Sequence, residues 1–238
     1  MENKDSLETP EPIKIRPLSE KEDEILEFIG KLYEIHQQKS IKRLDLAGML
    51  QCSPSLINKL LVSLENRKLI THEKYGEITL TEEGLTQARN LIRKHRLSEA
   101  LFVRILGLNP SEVHDYACKF EHVMDDNLAN RIAEVLENPD ACPHGNPISI
   151  STTEESDEFY PLNTFSTSNQ VQVMRIRNES SDFLKKLYQA GIEVGTKIQI
   201  IEKSFDGTFL VEINGKNVPL SEETAKNLLV ISLQEDLQ

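Results

Sequence analysis

Cysteine is scarce in this 238-residue chain: Cys52, Cys118 and Cys142 are all there is, an odd number too small for a disulfide framework. They are expected as reduced thiols, available as ligands. Long apolar runs are missing as well. None approaches the roughly 18 residues that a membrane span requires, so no membrane partner is expected. The first residues, Met1 to Ser6, lack the apolar core of a signal peptide, which points to the cytoplasm. Positive charge is in deficit too: 27 Lys and Arg against 39 Asp and Glu leave −12, which at first sight argues against nucleic acid. Hydrophobic residues at 38% and charged residues at 28% nevertheless describe an ordinary folded protein, long enough for one to three domains.

The charge deficit is uneven. Residues 40–75 sum to +3, whereas residues 97–160 sum to −10. A mildly basic module beside a strongly acidic one separates two tasks. The acidic part should either bind cations or stay away from phosphate.

Residues 1–17 carry Pro10, Pro12 and Pro17 without an apolar period and read as a flexible tail. From Ser19, with Glu22 three residues on as a capping box, Ile25, Phe28, Ile29, Leu32 and Ile35 recur at helical spacing. Leu44, Leu46, Ala47 and Leu50 mark a second short helix. Ser53 and Pro54 open a third, bearing Leu56, Ile57, Leu60, Leu61 and Leu64. Residues 70–80 read as a hairpin turning at Tyr75-Gly76. Helix, helix, helix, hairpin is the order of a winged helix-turn-helix, in which the third helix enters the major groove. Ser53, Ser55, Asn58 and Lys59 lie on its polar N-terminal side, and Arg43 and Lys74 are placed for phosphate. A plain three-helix bundle with a solvated polar face is the alternative.

Helical patterns follow from Thr81 to Leu106, Ser111 to Met124 and Asp126 to Leu136. Asn138-Pro139 and Pro143-His144-Gly145-Asn146-Pro147 end them. Residues 149–170, rich in Ser, Thr and Glu, read as a linker. Beyond it come strands at 171–176, 197–202, 208–213 and 217–220, with a short helix at 183–187 and an Asn214-Gly215 turn. Short strands and tight turns over about 65 residues suggest an SH3-like barrel. The expected organisation is therefore a tail (1–17), a winged helix-turn-helix (18–90), a helical domain (91–148), a linker (149–170) and the small β domain (171–234). The fold class is mostly α with small β.

Four of the six histidines and two of the three cysteines fall between positions 95 and 144. His95 and Glu99 are four apart on one helix; His114 and Cys118 are four apart on the next, with Glu121 and His122 following. Imidazole, thiolate and carboxylate on neighbouring helices suit a first-row divalent cation. A solvated polar face with one buried cysteine is the bland alternative, and six potential ligands on two helices weigh against it. Cys142-Pro143-His144 lacks the second Cys/His pair of a zinc site and reads as a structural loop. Cys52, beside apolar helices, reads as structural. A metallohydrolase using Glu121 as base, or a metal-buffering protein, stays open as a rival of another class.

The runs Arg93-Lys94-His95-Arg96-Leu97-Ser98-Glu99, Val113-His114-Asp115-Tyr116-Ala117-Cys118-Lys119-Phe120-Glu121-His122-Val123-Met124 and Cys142-Pro143-His144-Gly145-Asn146-Pro147-Ile148 strongly resemble the diphtheria toxin repressor (DtxR) family of metal-dependent transcriptional regulators. The resemblance covers about residues 20–234, including a FeoA-type SH3-like segment. It implies a primary metal site at Cys118, Glu121 and His122, with the Cys118 carbonyl as a further ligand, and an ancillary site at His95, Glu99 and His114. The family takes another primary ligand from the first helix, usually methionine or aspartate. The apolar period puts Glu27 there, a departure. Ancillary ligands from the SH3-like domain would fall in Arg175 to Asp182, which is not clearly ligand-like and offers only Glu179. The resemblance further implies a homodimeric repressor of palindromic DNA operators, not an enzyme, taking no small organic substrate and up to two metal ions per subunit. The Cys118 thiolate argues for Fe(II) and Glu27 pulls toward Mn(II); the balance favours Fe(II), with Mn(II) as the alternative.

Overall fold

The structure, a computed structural model, describes residues 18–36, 40–72, 77–149 and 159–233. The expected tail and the hairpin tip with Lys74 lie outside the described residues. Helix α1 (Leu18–His36) turns Ile25, Leu26 and Ile29 into the first core. Ser19 lies inside its first turn rather than capping it, and Glu22 pairs instead with Arg67. A three-residue strand, β1 (Ser40–Lys42), precedes α2 (Arg43–Met49) and α3 (Pro54–Asn66). Ser53 caps α3: its Oγ accepts from the Leu56 amide at 3.2 Å, and Pro54 occupies the first turn, where a missing N–H costs nothing. Strands β2 (Ile70–His72) and β3 (Glu77–Leu80) complete the wing, in sheet order β1-β3-β2. A strand as short as β1 carries too few side chains to show alternation, so the sequence pattern does not reveal it.

Helix α4 (Glu82–Arg104), capped by Thr81, joins two cores. Ala88 and Leu91 pack with the first; Leu97 and Ala100 pack with a second that includes Met124, Ala129 and Ile132. α1 lies directly on α4 because residue 30 is glycine. A Cβ there would stand 2.8 Å from that of Ala88. Helix α5 (Val113–Phe120) tightens into a 3₁₀ turn at Glu121–Val123, where a continuous helix was expected, and α6 (Asp126–Val135) follows.

The C-terminal unit contains β4 (Tyr160–Pro161), β5 (Gln170–Ile176), α7 (Ser181–Gln189), β6 (Lys197–Lys203), β7 (Phe209–Ile213), β8 (Lys216–Leu220), α8 (Glu222–Asn227) and β9 (Leu228–Ser232). Its antiparallel sheet runs β4-β9-β5-β6-β7-β8, bent by register shifts at Val173/Arg175 and Ile200/Glu202. The architecture is the expected SH3-like one, although β4 and β8 remain separate edges. Asn214 and Gly215 both have positive φ (51° and 75°), as a two-residue hairpin turn needs. The linker expectation needs correction at its end: Tyr160 and Pro161 pair with Val230 and Leu229, so sheet residues begin at 160, inside the expected linker and before the expected domain start at 171. Serine and threonine composition hid the pairing. No helix among the described residues is long and apolar enough to cross a membrane.

Candidate metal centre

Ligand-type side chains meet where α1, α4, α5 and the 3₁₀ turn converge. His95, on α4 and wholly buried, stands at the middle. Its Nδ1 is 2.6 Å from Glu121 Oε2 and 3.7 Å from Glu27 Oε1. Its Nε2 is 3.1 Å from Glu99 Oε1 and 3.2 Å from His114 Nδ1. Glu27, His95 and Glu121 thus offer ligand atoms within 4.8 Å of one another, and so do His95, His114 and Cys118.

The structure brings together the expected ancillary residues His95, Glu99 and His114: the same Glu99 Oε1 is 3.5 Å from His114 Nδ1. It joins Glu27 to Glu121 as well. Cys118, however, lies against the imidazoles, with Sγ 3.5 Å from His114 Nε2 and 4.0 Å from His95 Nδ1. His95 therefore belongs to both groups, and the clean division into two sites is not seen. The physical reason is charge pairing. Burial pushes the Cys118 thiol up, but hydrogen bonds from His114 and His95 outweigh it and hold its pKa at about 6. Burial likewise opposes protonation of His114, yet its bonds to Cys118 and Glu99 raise it to about 9. Burial, then the neighbouring Glu27 carboxylate, lifts Glu121 to about 8. Burial opposes the ionisation of Glu27 too, but Lys31 and His95 keep it well below the usual carboxylate range. One of two facing carboxyls keeps its proton, as like charges require.

The donor set fits a divalent cation. His122 is the telling residue: both ring nitrogens are buried and neither has a hydrogen-bond partner. Glu121 Oε1 lies 3.6 Å from Nε2, and Asp23 Oδ2 lies 3.6 Å from Nδ1. Flanked by two carboxylates yet hydrogen-bonded to neither, the imidazole has ring nitrogens that a cation held between it and those carboxylates would satisfy.

A further cluster was not anticipated. Glu99, Cys142, His144 and Glu179 are all buried, with ligand atoms within 4.8 Å of one another. Glu99 Oε2 approaches His144 Nδ1 at 3.2 Å. His144 Nε2 donates to the Pro110 carbonyl at 3.0 Å, which directs Nδ1 into the cluster. The supposedly structural Cys142-Pro143-His144 loop is held against β5: Ile176 N donates to His144 O at 2.9 Å, and Asn146 Nδ2 donates to Ile176 O and to Glu179 Oε1. Gly145 has φ +81°, and a Cβ there would meet the Met174 carbonyl oxygen at 2.1 Å. The partners of the Cys142/His144 pair come from distant stretches, α4 and the loop after β5, so local spacing did not disclose them.

The candidate DNA-reading residues that the structure describes are all exposed. Ser53, Ser55, Asn58 and Lys59 are exposed along the start of α3. Arg43, at the start of α2, donates from Nη1 to Asn58 Oδ1 at 2.9 Å. Lys74 lies outside the described residues.

A winged helix-turn-helix whose first helix lends a carboxylate to a buried cluster of imidazole, thiol and carboxyl groups defines a class: regulators that read DNA under metal control. Comparison with known proteins agrees. Residues 81–150 match the iron dependent repressor, metal binding and dimerisation domain, and residues 160–232 match the FeoA domain. The diphtheria toxin repressor of Corynebacterium glutamicum is 30% identical over 210 residues, covering 83% of this chain and 91% of that protein. The iron-dependent repressor IdeR of Mycobacterium tuberculosis is 27% identical over 213 residues, covering 83% and 92%. Among solved structures, a manganese-dependent transcriptional repressor in complex with manganese is 28% identical with a TM-score of 0.78, covering 89% of this chain and all of that one. The chain belongs to the diphtheria toxin repressor family. It is a metal-dependent transcriptional repressor, not an enzyme.

Proposed function

We propose that this repressor is a homodimer activated by Fe(II), reading a palindromic operator and taking up to two metal ions per subunit. The observation that carries the proposal is the meeting of Glu27, from the first helix of the reading head, with His95 and Glu121 of the helical scaffold. Glu27, Cys118, Glu121 and His122 would hold the regulatory ion. His95, Glu99 and His114 would serve the ancillary position, supplemented by Cys142, His144 and Glu179. The bound ion would supply the positive charge that lets these acidic groups share one buried volume.

The residues explain why such a site governs DNA binding. Glu27 and Glu121 face each other from different units, and α1 packs on α4 without a side chain at Gly30. Holding Glu27 to the scaffold fixes the reading head, which favours the arrangement in which two α3 helices reach successive major grooves, roughly 34 Å apart. A coupling of about 1–3 kcal/mol changes operator affinity about 5- to 150-fold. Ile105, Leu106 and Leu128, exposed apolar residues on the helical domain, supply the pairing surface; Ile132 and Leu136 are buried within the subunit.

A second reading, activation by Mn(II), is favoured by the two hard carboxylate oxygens of Glu27 and Glu121 in one group. Anaerobic titration with Fe(II) and Mn(II), read as retention of a labelled operator fragment, separates the two. Glu121→Ala is expected to abolish metal-dependent retention while the dimer persists in sedimentation. Equal retention with chelator and with metal would refute the regulatory mechanism.

A further inference from the structure

Lys31 is the one lysine drawn into the acidic cluster among the described residues. It lies one turn after Glu27 on α1, and its side chain is only 18% exposed. The ammonium stands 2.8 Å from Glu27 Oε1 and 3.0 Å from Glu179 Oε2. Glu179 belongs to the C-terminal unit, and its other oxygen accepts from Asn146 Nδ2 at 2.6 Å. A single cation on the reading head thus spans a carboxylate of the candidate primary site and a carboxylate of the further cluster. A buried ammonium is retained only where its charge is matched, and here two anions match it.

We propose that Lys31 is a built-in counter-cation that competes with the regulatory metal for Glu27 and so sets the metal concentration at which the repressor switches. The inference rests on the reading of Glu27 and Glu121 as metal ligands. Its physical content is direct. An ammonium at 2.8 Å from Glu27 Oε1 occupies a coordination direction of that oxygen and repels an incoming dication. In the metal-free protein the same ammonium shares its single charge between Glu27 and Glu179, beside the imidazole of His95, so it stabilises the metal-free fold. Lys31 therefore acts with opposite sign on the two states. Removing it should loosen the metal-free protein and tighten metal binding. A lysine with a merely structural role would weaken both.

The test uses the full chain as wild type, Lys31→Gln and Lys31→Arg. Mn(II) affinity is measured by chelator competition, and thermal midpoints are recorded with and without Mn(II). Lys31→Gln is expected to bind Mn(II) about tenfold more tightly, the order expected on removing a unit charge beside a partly shielded cation, and to melt lower only in chelator. Lys31→Arg, which keeps the charge, should stay near wild type. If Lys31→Gln does not fold without metal, refolding in Mn(II) should recover it; failure to recover overturns the proposal. Unchanged or weaker binding by a folded Lys31→Gln also overturns it while leaving the metal-site reading intact. Absence of Mn(II) and Fe(II) binding by the wild type would overturn both.

Discussion

Gly30→Ala tests the packing that brings Glu27 to the scaffold. The added methyl would start 2.8 Å from Ala88 Cβ and 3.1 Å from Ile92 Cδ1, so one helix must move. Two effects oppose each other. Alanine is a better helix former than glycine by about 1 kcal/mol, whereas overpacking a tight contact costs about 1–3 kcal/mol. The net expectation is about 0–2 kcal/mol of destabilisation, small enough for the protein to fold. The functional effect should be larger than the stability effect, because Glu27 sits on the displaced segment of α1 and its Oε1 lies only 3.7 Å from His95 Nδ1. A shift of even an ångström pulls the carboxylate from a shared ligand volume. Metal affinity is thus expected to fall about tenfold or more while the dimer survives, with a matching loss of metal-dependent operator retention. Ala88→Gly reopens the space, so the double variant should recover much of the affinity despite carrying a second glycine cost. Calorimetric metal titration of the four proteins completes the cycle. Wild-type affinity in Gly30→Ala, or no recovery in the double variant, would refute the claim that this helix contact positions Glu27.

Metal uptake should depend on pH in a definite direction. Glu121, lifted by burial and Glu27 from 4.5 to about 8, holds a proton at neutrality that a ligand must shed. Apparent affinity at the primary position should rise by up to about tenfold per pH unit from pH 6 toward pH 8 and then flatten, while the ancillary position, where His114 is raised to about 9, should go on gaining affinity above pH 8; calorimetry in buffers of differing ionisation heat should show proton release. The same raised carboxyl makes the metal-free fold less stable as pH climbs through that window, which chelator-treated melting curves would reveal. His144→Ala should remove one equivalent of bound metal in elemental analysis and leave the other; an unchanged stoichiometry would show that the Cys142/His144 cluster binds nothing. Lys59→Ala should weaken operator binding similarly for all sequences and lower the slope of log affinity against log salt by about 1.

The large elements were legible in the sequence because each carries a period long enough to read. Apolar residues in α1, α3 and α4 recur at helical spacing, and Ser53-Pro54 and Thr81 announce helix starts that the structure keeps. The short strands were not legible: β1 and β4 have three and two residues, and their identity comes from pairing with β3 and β9. Helix α8 and strand β9 also escaped notice, since Glu222–Asn227 is too short to show a period and runs straight into the strand. At the centre, His95, Glu99, His114 and Cys118 were legible as i, i+4 pairs on two helices. Glu27 was reached through the resemblance and the apolar period of its helix. Glu179 was reached through the resemblance alone, and Lys31 was not reached, because its significance depends on a contact between α1 and the C-terminal unit that spacing does not encode.

That contact changes how the candidate centre should be understood. Buried carboxyls at Glu27, Glu99, Glu121 and Glu179 come from the reading head, the scaffold helix, the 3₁₀ turn and the SH3-like unit respectively. Uncompensated, they would push those units apart, since a buried charge without a partner costs several kcal/mol. Compensation is shared: Lys31 serves Glu27 and Glu179, His95 serves Glu99 and Glu121, and His144 serves Glu99. Each positive group touches carboxylates from two elements or joins a chain that does. A cation drawing on any one carboxylate therefore alters the balance for its neighbours in other units, and no ligand can be reassigned without a consequence elsewhere. By this reasoning the C-terminal unit is coupled to the reading head through Glu179 and Lys31, and Glu179→Gln should change primary-site affinity even though Glu179 lies outside that ligand set. Equal primary-site affinity in Glu179→Gln and wild type would show that the two carboxylates act independently.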